Sequence, residues 1–375
     1  MIEMPELTNS SSGRSSEWLN ELLNRAIADR VSDLQIRLDR EERTLVVRGR
    51  VNRVMAVVGR ANGDRATEIT VRVKSNSGIP SGPAQVIGDG LYPHQTVDGQ
   101  RLDIRVAVLP TFAGETIQLR LPSVGDLPSL EKVGFSAHNR ERVSKLVGMA
   151  NGLVLVAGPM GAGKTTTLYA LLAELGSADR TVYTVEDPVE RELEGIDQIQ
   201  INSSAGNGWR EVLRGLRRSD AEVMMIGEVR DEDQASAALE IGNAGAKVIS
   251  SIHANDSVGA VSMLMELAKV PPRTLGNQLR GVISQRLLRV RCVACVGAGC
   301  EVCSGTGYAG GVRTVHEVLV LDDDFVNVLI AGGAASALRN VARVAGMTSL
   351  RENALDLVAA GVTDEREVRK VLGHE

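Results

Sequence analysis

Residues 152–175 read GLVLVAGPMGAGKTTTLYALLAEL, and the order of the pieces in this stretch decides the fold of the second half of the chain. An apolar run typical of a buried strand is followed by Gly158–Thr165, which matches the phosphate-loop pattern G-x-x-x-x-G-K-[ST], and then by a helix candidate. The mechanism of such a loop needs this arrangement. Glycines let the backbone turn its N–H groups inward around a β-phosphate, and the helix N-terminus adds about half a positive charge. Lys164 bridges β- and γ-oxygens, and the Thr165 hydroxyl ligates Mg²⁺. The expected nucleotide-binding residues are Gly158, Pro159, Met160, Gly161, Ala162, Gly163, Lys164, Thr165 and Thr166, with ATP and Mg as the cofactors.

Working outward, TVYTVED (181–187), EVMMIGE (222–228) and AKVISSIH (246–253) are further short β-rich runs, each followed by a helix-compatible segment. This is the alternation of a parallel α/β sheet, in which ligands sit at the carboxyl ends of the strands. The chain after Val318 reads as largely helical. A linker is expected at 122–130, where PSVGDLPSL carries two prolines and a glycine, so the α/β domain spans 131–375. Before it, Trp18, Leu19, Leu22, Leu23 and Ala26 recur at helical spacing, and LQIRL (34–38) and TLVVRGRV (44–51) alternate as strands. RLDIRVAVL and ETIQLRL, separated by PTFAG, read as a hairpin, and SNSGIPSGPAQVIGDG (75–90) as a long loop. The expectation is a small α+β domain over 17–121, preceded by a disordered tail over 1–16.

Composition bounds the function. With 43% hydrophobic and 24% charged residues in 375, the chain is neither disordered nor collagen-like and has room for more than one core. Forty-two basic against 47 acidic residues give a formal charge of −5, and aromatics make up 2%. That balance supplies neither a basic footprint nor stacking platforms, so direct nucleic-acid binding is not expected. No run approaches the ~18 apolar residues of a membrane-spanning helix, and the start lacks a basic head with an apolar core, so a cytoplasmic protein is expected.

Hydrolysis needs groups that orient water at the γ-phosphate, and three strand ends offer them. Glu228 closes VMMIGE, where Gly227 replaces the usual aspartate; Glu186 and Asp187 end TVYTVED; and His253 follows ISSI. A carboxylate at Glu228 could polarise the water, and His253 could donate to the γ-phosphate. All four cysteines fall in CVACVGAGCEVC, as two C-x-x-C knuckles, Cys292 with Cys295 and Cys300 with Cys303. Such knuckles suit a structural tetrahedral zinc site, with an iron–sulfur or vacant thiol cluster as the alternatives, and the Gly297–Gly299 run should let the chain fold back between them.

Four segments in order resemble the motifs of the secretion or traffic ATPases of type II secretion and type IV pilus assembly: the phosphate loop, TVEDPVERELEGIDQIQIN (184–202) like the aspartate box, MMIGEVRD (224–231) like the atypical Walker B segment, and SSIHANDSVGAV (250–261) like the histidine box. The resemblance implies a RecA-like P-loop ATPase domain behind a smaller N-terminal α+β (PAS-like) domain, with Glu228 as catalytic carboxylate, Glu186 as an essential acid and His253 as the histidine-box residue. It further implies that Arg105 and Arg120, on the arms of the hairpin, reach nucleotide across a domain or subunit boundary, and that Arg214 and Arg218, at i and i+4 on one helical face, form an arginine pair. By the same resemblance the protein is a homo-hexamer that hydrolyses ATP to drive pilin or pseudopilin assembly or protein secretion. It would lie peripherally at the inner membrane, through a platform protein. The cysteine element and RVAGMTSLRENALDLVAAGVT (343–363) look assembly-type. The alternatives are a retraction or conjugative type IV secretion ATPase, a nucleic-acid translocase, and a nucleotide-gated scaffold without turnover.

Overall fold

A computed structural model gives the structure of residues 4, 6, 14–29, 31–39, 41–51, 54–82, 87–122, 129–176, 180–303 and 305–373. The chain divides into two compact units, Met1–Asp126 and Leu127–Glu375.

The first unit contains α1 (Ser15–Ala28), β1 (Asp33–Asp39), β2 (Thr44–Val51), β3 (Val54–Asn62), α2 (Asp64–Asn76), β4 (Gly88–Gln95), β5 (Arg101–Thr111) and β6 (Gly114–Arg120). Its strands make one sheet in the order β3-β2-β1-β6-β5-β4, antiparallel at every pairing. The helical stripe read from the sequence is the buried face of α1: Leu19, Leu22, Leu23 and Ala26 pack with Ile69 and Val73 of α2 and with Leu34, Ile36 and Leu38 of β1. Each fully buried leucine or isoleucine contributes about 1.5–3 kcal/mol. Three elements escaped the sequence reading. β3 and α2 fill the gap after TLVVRGRV, and β4 runs through the end of the expected long loop. Among the described residues β4 pairs only with β5, and this edge position tolerates Gly88, Gly90 and Pro93, which hide a strand from its own sequence. Of the expected tail, residues 1–3, 5 and 7–13 lie outside the described residues, while Ser15 already opens α1; of the expected linker, 123–128 lie outside them.

The second unit contains α3 (Ala137–Gly148), β7 (Gly152–Ala157), α4 (Lys164–Leu175), β8 (Val182–Glu186), β9 (Asp197–Gln200), α5 (Trp209–Leu216), β10 (Val223–Val229), α6 (Glu232–Asn243) and β11 (Lys247–Ile252). It continues with α7 (Ser257–Ala268), α8 (Pro272–Gln278), β12 (Leu279–Arg291), β13 (Tyr308–Val320), α9 (Asp323–Ile330), α10 (Ala335–Val344), α11 (Leu350–Ala359) and α12 (Glu365–Leu372). The sheet order is β13-β12-β7-β11-β10-β8-β9, parallel except where β13 returns against β12. β7 and β11 are buried along their whole length, as strands covered on both faces must be. The two faces carry separate cores, one around α6 and α7 and the other around α3 and α4. β12 was not legible because it buries Ser284, Gln285, Arg286 and Arg289 among its apolar residues. Among the described residues no helix is long and apolar enough to cross a membrane.

Candidate nucleotide-binding site

β7 ends at Ala157, and the chain leaves the sheet at Gly158 to form the loop that opens α4 at Lys164. Gly161 and Gly163 take φ of 71° and 85°, the left-handed conformation that glycine adopts at no steric cost and that aims successive N–H groups into the concavity. Lys164 folds back over the loop: its Nζ donates to the carbonyl oxygens of Gly158 at 2.8 Å and Pro159 at 3.4 Å. Burial lowers its pKa to about 8; Glu228 opposes the shift, while Arg286 and Arg230 add to it. Met160 and Thr166 are exposed at the mouth, and Thr165 is half-buried on the first turn of α4.

Three motifs distant in sequence meet here because their strands are neighbours. β11 runs beside β7 with Ile252 opposite Ala157, so His253 emerges level with Gly158. Its Nδ1 lies 3.1 Å from Lys164 Nζ and 3.2 Å from the Gly158 oxygen. An ammonium has donors only, so we assign Nδ1 as the acceptor and the ring proton to Nε2, which faces Glu228 Oε1 at 2.5 Å. The two atoms are close without hydrogen-bond alignment, and Oε1 is a buried oxygen with no hydrogen bond. Oε2 accepts from Arg230 Nε at 2.6 Å. The register between β10 and β11 shifts between Ile226 and Val229, and this irregularity re-aims Glu228 toward the loop. Gly227 has its own reason. A Cβ there would come within 3.3 Å of the Val185 carbonyl oxygen and 3.6 Å of Glu186 Cα, so any larger residue would press the β8 backbone aside by a few tenths of an ångström.

Glu186 is arranged differently. Only 3% exposed, it accepts from Thr184 Oγ1 at 2.7 Å, from Gln198 Nε2 at 3.1 Å and from the Tyr169 hydroxyl. Burial, with Glu186 beside it, pushes the Tyr169 phenol up. Glu186 therefore ties β8 to β9 and α4, and its oxygens are engaged within that cluster. Of the arginines, Arg214 is exposed on α5, but α5 ends at Leu216. Arg218 lies in the turn that follows, where the Arg217 N–H still donates to the Leu213 carbonyl and the Arg218 N–H to the Gly215 carbonyl, so the helical winding runs on past Leu216 and both arginines are exposed. Arg105 and Arg120 are opposite one another across the β5–β6 ladder and thus share one sheet face of the first unit, where Arg120 Nε lies 3.6 Å from Asp33 Oδ1. The sequence reading missed Arg230, which the two-residue spacing from Glu228 could have suggested, and Gln285 and Arg286, for which it held no signal.

The cysteines close into one cluster, with all four sulfurs within 4.8 Å of one another. The contacts Cys292–Cys300, Cys295–Cys303 and Cys300–Cys303 measure 3.9, 3.8 and 3.8 Å. Four sulfurs around zinc at about 2.3 Å stand about 3.8 Å apart in a tetrahedron, so the donor set fits the ion. The short connection turns back through Gly299 at φ 97°, where a Cβ would strike the Gly305 carbonyl at 2.8 Å. Burial opposes ionisation of Cys303, but N–H groups of Cys300 and Gly307 donate to its sulfur and bring the thiol down to about 6. At the loop, the residues present also fit Mg²⁺ with a polyphosphate: a cradle of N–H groups, an ammonium, the Thr165 hydroxyl, and a buried carboxylate oxygen lacking a hydrogen bond.

A parallel sheet with a phosphate loop after one strand and an acid and a histidine at the ends of its neighbours defines a RecA-like P-loop nucleotide-binding protein. Solved structures agree on the fold. The chain superposes on the Legionella pneumophila ATPase DotB with a TM-score of 0.73 at 18% identity, covering 98% of each chain, and on the pilus retraction motor PilT with bound ADP with a TM-score of 0.67 at 19% identity, covering 94% and 96%. The model of the family described as "Type II/IV secretion system protein" matches residues 9–370. Type II secretion system protein E of Dickeya dadantii is 35% identical, over 95% of this chain and 75% of that protein. The type II secretion system ATPase E of Vibrio cholerae is 32% identical over 94% and 74%. The chain belongs to the Type II/IV secretion system protein family and is an ATPase of that family.

Proposed function

We propose that this chain is a Mg²⁺-dependent ATPase that works as a homo-hexamer at an inner-membrane platform and powers pilin or pseudopilin assembly or protein secretion. The observation that carries the chemistry is the convergence of Lys164, His253 and Glu228 around Gly158. Lys164 binds the β- and γ-oxygens of ATP, exchanging its contacts with the loop carbonyls for phosphate. Glu228 takes the proton of the attacking water or polarises it, and His253, with its Nε2 proton, stands between the carboxylate and the lysine to sense the γ-phosphate. Thr165 would hold the Mg²⁺, which supplies neutralisation of phosphate charge when bound. Glu186 acts by holding β8, β9 and α4 in register beside this site. Arg105 and Arg120 clamp the nucleotide from the N-terminal unit, and Arg214 and Arg218 contribute charge from the α5 end; cations delivered this way accelerate phosphoryl transfer by ~10³–10⁵.

Cys292, Cys295, Cys300 and Cys303 hold a structural zinc ion, since four thiolates leave no open position. The domain division proposed is an N-terminal α+β domain over 17–121 and an ATPase domain over 131–375. Membrane association is peripheral, through partners, on the cytoplasmic side, and no nucleic acid is engaged directly. The test is phosphate release from ATP by the purified chain, with and without Mg²⁺, alongside Lys164→Ala. Magnesium-dependent turnover that disappears in Lys164→Ala is expected; turnover retained by that variant refutes the assigned site.

A further inference from the structure

Gln285 and Arg286 belong to none of the motifs that assemble the site, yet they flank it. β12 runs parallel to β7 with Ser284 opposite Ala157, while β11 brings Ile252 to Ala157 from the other side. Gly158 therefore leaves the sheet between His253 and Gln285. Consecutive strand residues point to opposite faces, so the two side chains find different partners. Gln285, 1% exposed, donates from Nε2 to the Ala162 carbonyl at 2.7 Å and accepts with Oε1 from Thr167 Oγ1 at 2.8 Å. One buried amide thus ties the phosphate loop to the first turn of α4. Arg286, 7% exposed, donates from Nη1 to the Gln285 carbonyl at 2.9 Å and from Nη2 to the Asn255 carbonyl at 2.7 Å. Asn255 is two residues beyond His253, so this fork joins the strand beside the loop to the segment carrying the histidine.

We propose that Gln285 and Arg286 are positioning residues for the nucleotide reaction: Gln285 holds the phosphate-loop backbone in its binding shape, and Arg286 holds the His253 segment at the distance the loop requires. The inference rests on the reading that the loop binds ATP. A glycine-rich loop without a tether samples many shapes, and the cost of selecting the competent one then falls on nucleotide binding. Losing the Gln285 tether therefore weakens affinity. Losing the Arg286 fork leaves the loop intact and misplaces His253, which lowers kcat. A lysine retains the charge but lacks the planar pair of donors that spans two carbonyls.

The experiment uses the full chain and measures Kd for a fluorescent ADP, then kcat and KM for ATP. Gln285→Met keeps length and removes both bonds; Gln285→Glu sets a carboxylate against the Ala162 carbonyl; Thr167→Val removes one hydroxyl at nearly constant volume. About 10-fold weaker nucleotide binding is expected for both Gln285 variants, the equivalent of about 1.4 kcal/mol, with a smaller loss for Thr167→Val. Arg286→Lys and Arg286→Gln should bind ADP within about 3-fold of wild type and both lose about 10-fold or more in kcat. Wild-type Kd in Gln285→Met overturns the role of Gln285; should that variant not fold, wild-type Kd in Thr167→Val together with Gln285→Glu does so. Recovery of wild-type kcat by Arg286→Lys overturns the fork. Failure of the unmutated chain to bind ADP would instead defeat the nucleotide reading itself, so the two failures are distinct.

Discussion

Replacing Glu228 with glutamine separates the two jobs that the site assigns to that side chain, because the amide has the same shape and lacks the charge. In the protein, Oε2 accepts from Arg230 Nε at 2.6 Å and Oε1 faces His253 Nε2 at 2.5 Å without hydrogen-bond alignment. The glutamine oxygen can keep the Arg230 contact as a neutral acceptor. A charge-assisted bond of about 1.5–3 kcal/mol becomes one of about 0.5–1.5, and because the Arg230 side chain is 54% exposed the loss of stability should stay under about 1 kcal/mol. The chemical loss is larger. An amide cannot take the proton of the attacking water, and general-base catalysis contributes ~10²–10⁴, or about 3–5.5 kcal/mol of barrier. Nucleotide binding at pH 7 should persist, since removing an anion beside Lys164 does not disfavour phosphate. One secondary effect is specific to this geometry. Glu228 opposes the burial that brings Lys164 down to about 8, so the variant lysine loses its proton at lower pH. Nucleotide affinity in the parent should be flat near pH 7 and weaken as pH rises through 8, and in Glu228→Gln the weakening should begin earlier. Phosphate release and fluorescent-ATP titration at pH 7 and 8.5 measure both parts. Turnover within about 3-fold of the parent, or loss of binding at pH 7 as complete as in Lys164→Ala, refutes the reasoning.

His316, buried against Phe135 with ring centroids 4.0 Å apart, is brought down to about 3 by burial, so the folded chain keeps it neutral while the unfolded chain protonates it below about pH 6.5. Its contribution is fully present above that pH and declines by about 1.4 kcal/mol per unit below it, or about 2 kcal/mol at pH 5; denaturant unfolding of His316→Met should lack this acid-side slope. Elemental analysis should find one zinc per chain, lost in Cys300→Ser; a metal-free preparation that is stably folded dismisses the metal. Arg105→Ala and Arg120→Ala should each lower ATP turnover by ~10³ or more while leaving the melting temperature of the chain nearly unchanged, and undiminished turnover would remove both from the nucleotide clamp.

The phosphate loop was legible because its chemistry is local: the glycines, the lysine and the helix start are consecutive, and the preceding strand is apolar throughout. The same is true of the four cysteines, whose spacing is short enough for the chain itself to bring the sulfurs together. β8, β10 and β11 were readable from apolar runs, whereas β12 hid behind the polar residues it buries, and with it went Gln285 and Arg286. Spacing set Arg214 and Arg218 about one helical turn apart, and the structure leaves both exposed, Arg214 on α5 and Arg218 in the turn after it.

By itself, then, the sequence determined which residues possess the needed chemistry and that a strand delivers a phosphate loop to a helix, since these depend on residue type and short spacing. Only the tertiary structure decided which of them meet. The order β12-β7-β11-β10 sets Gln285, Gly158, His253 and Glu228 on neighbouring strand ends, and Glu186 one strand further on. Strand order depends on crossover connections and the packing of helices on both faces, and that information is spread over the whole unit.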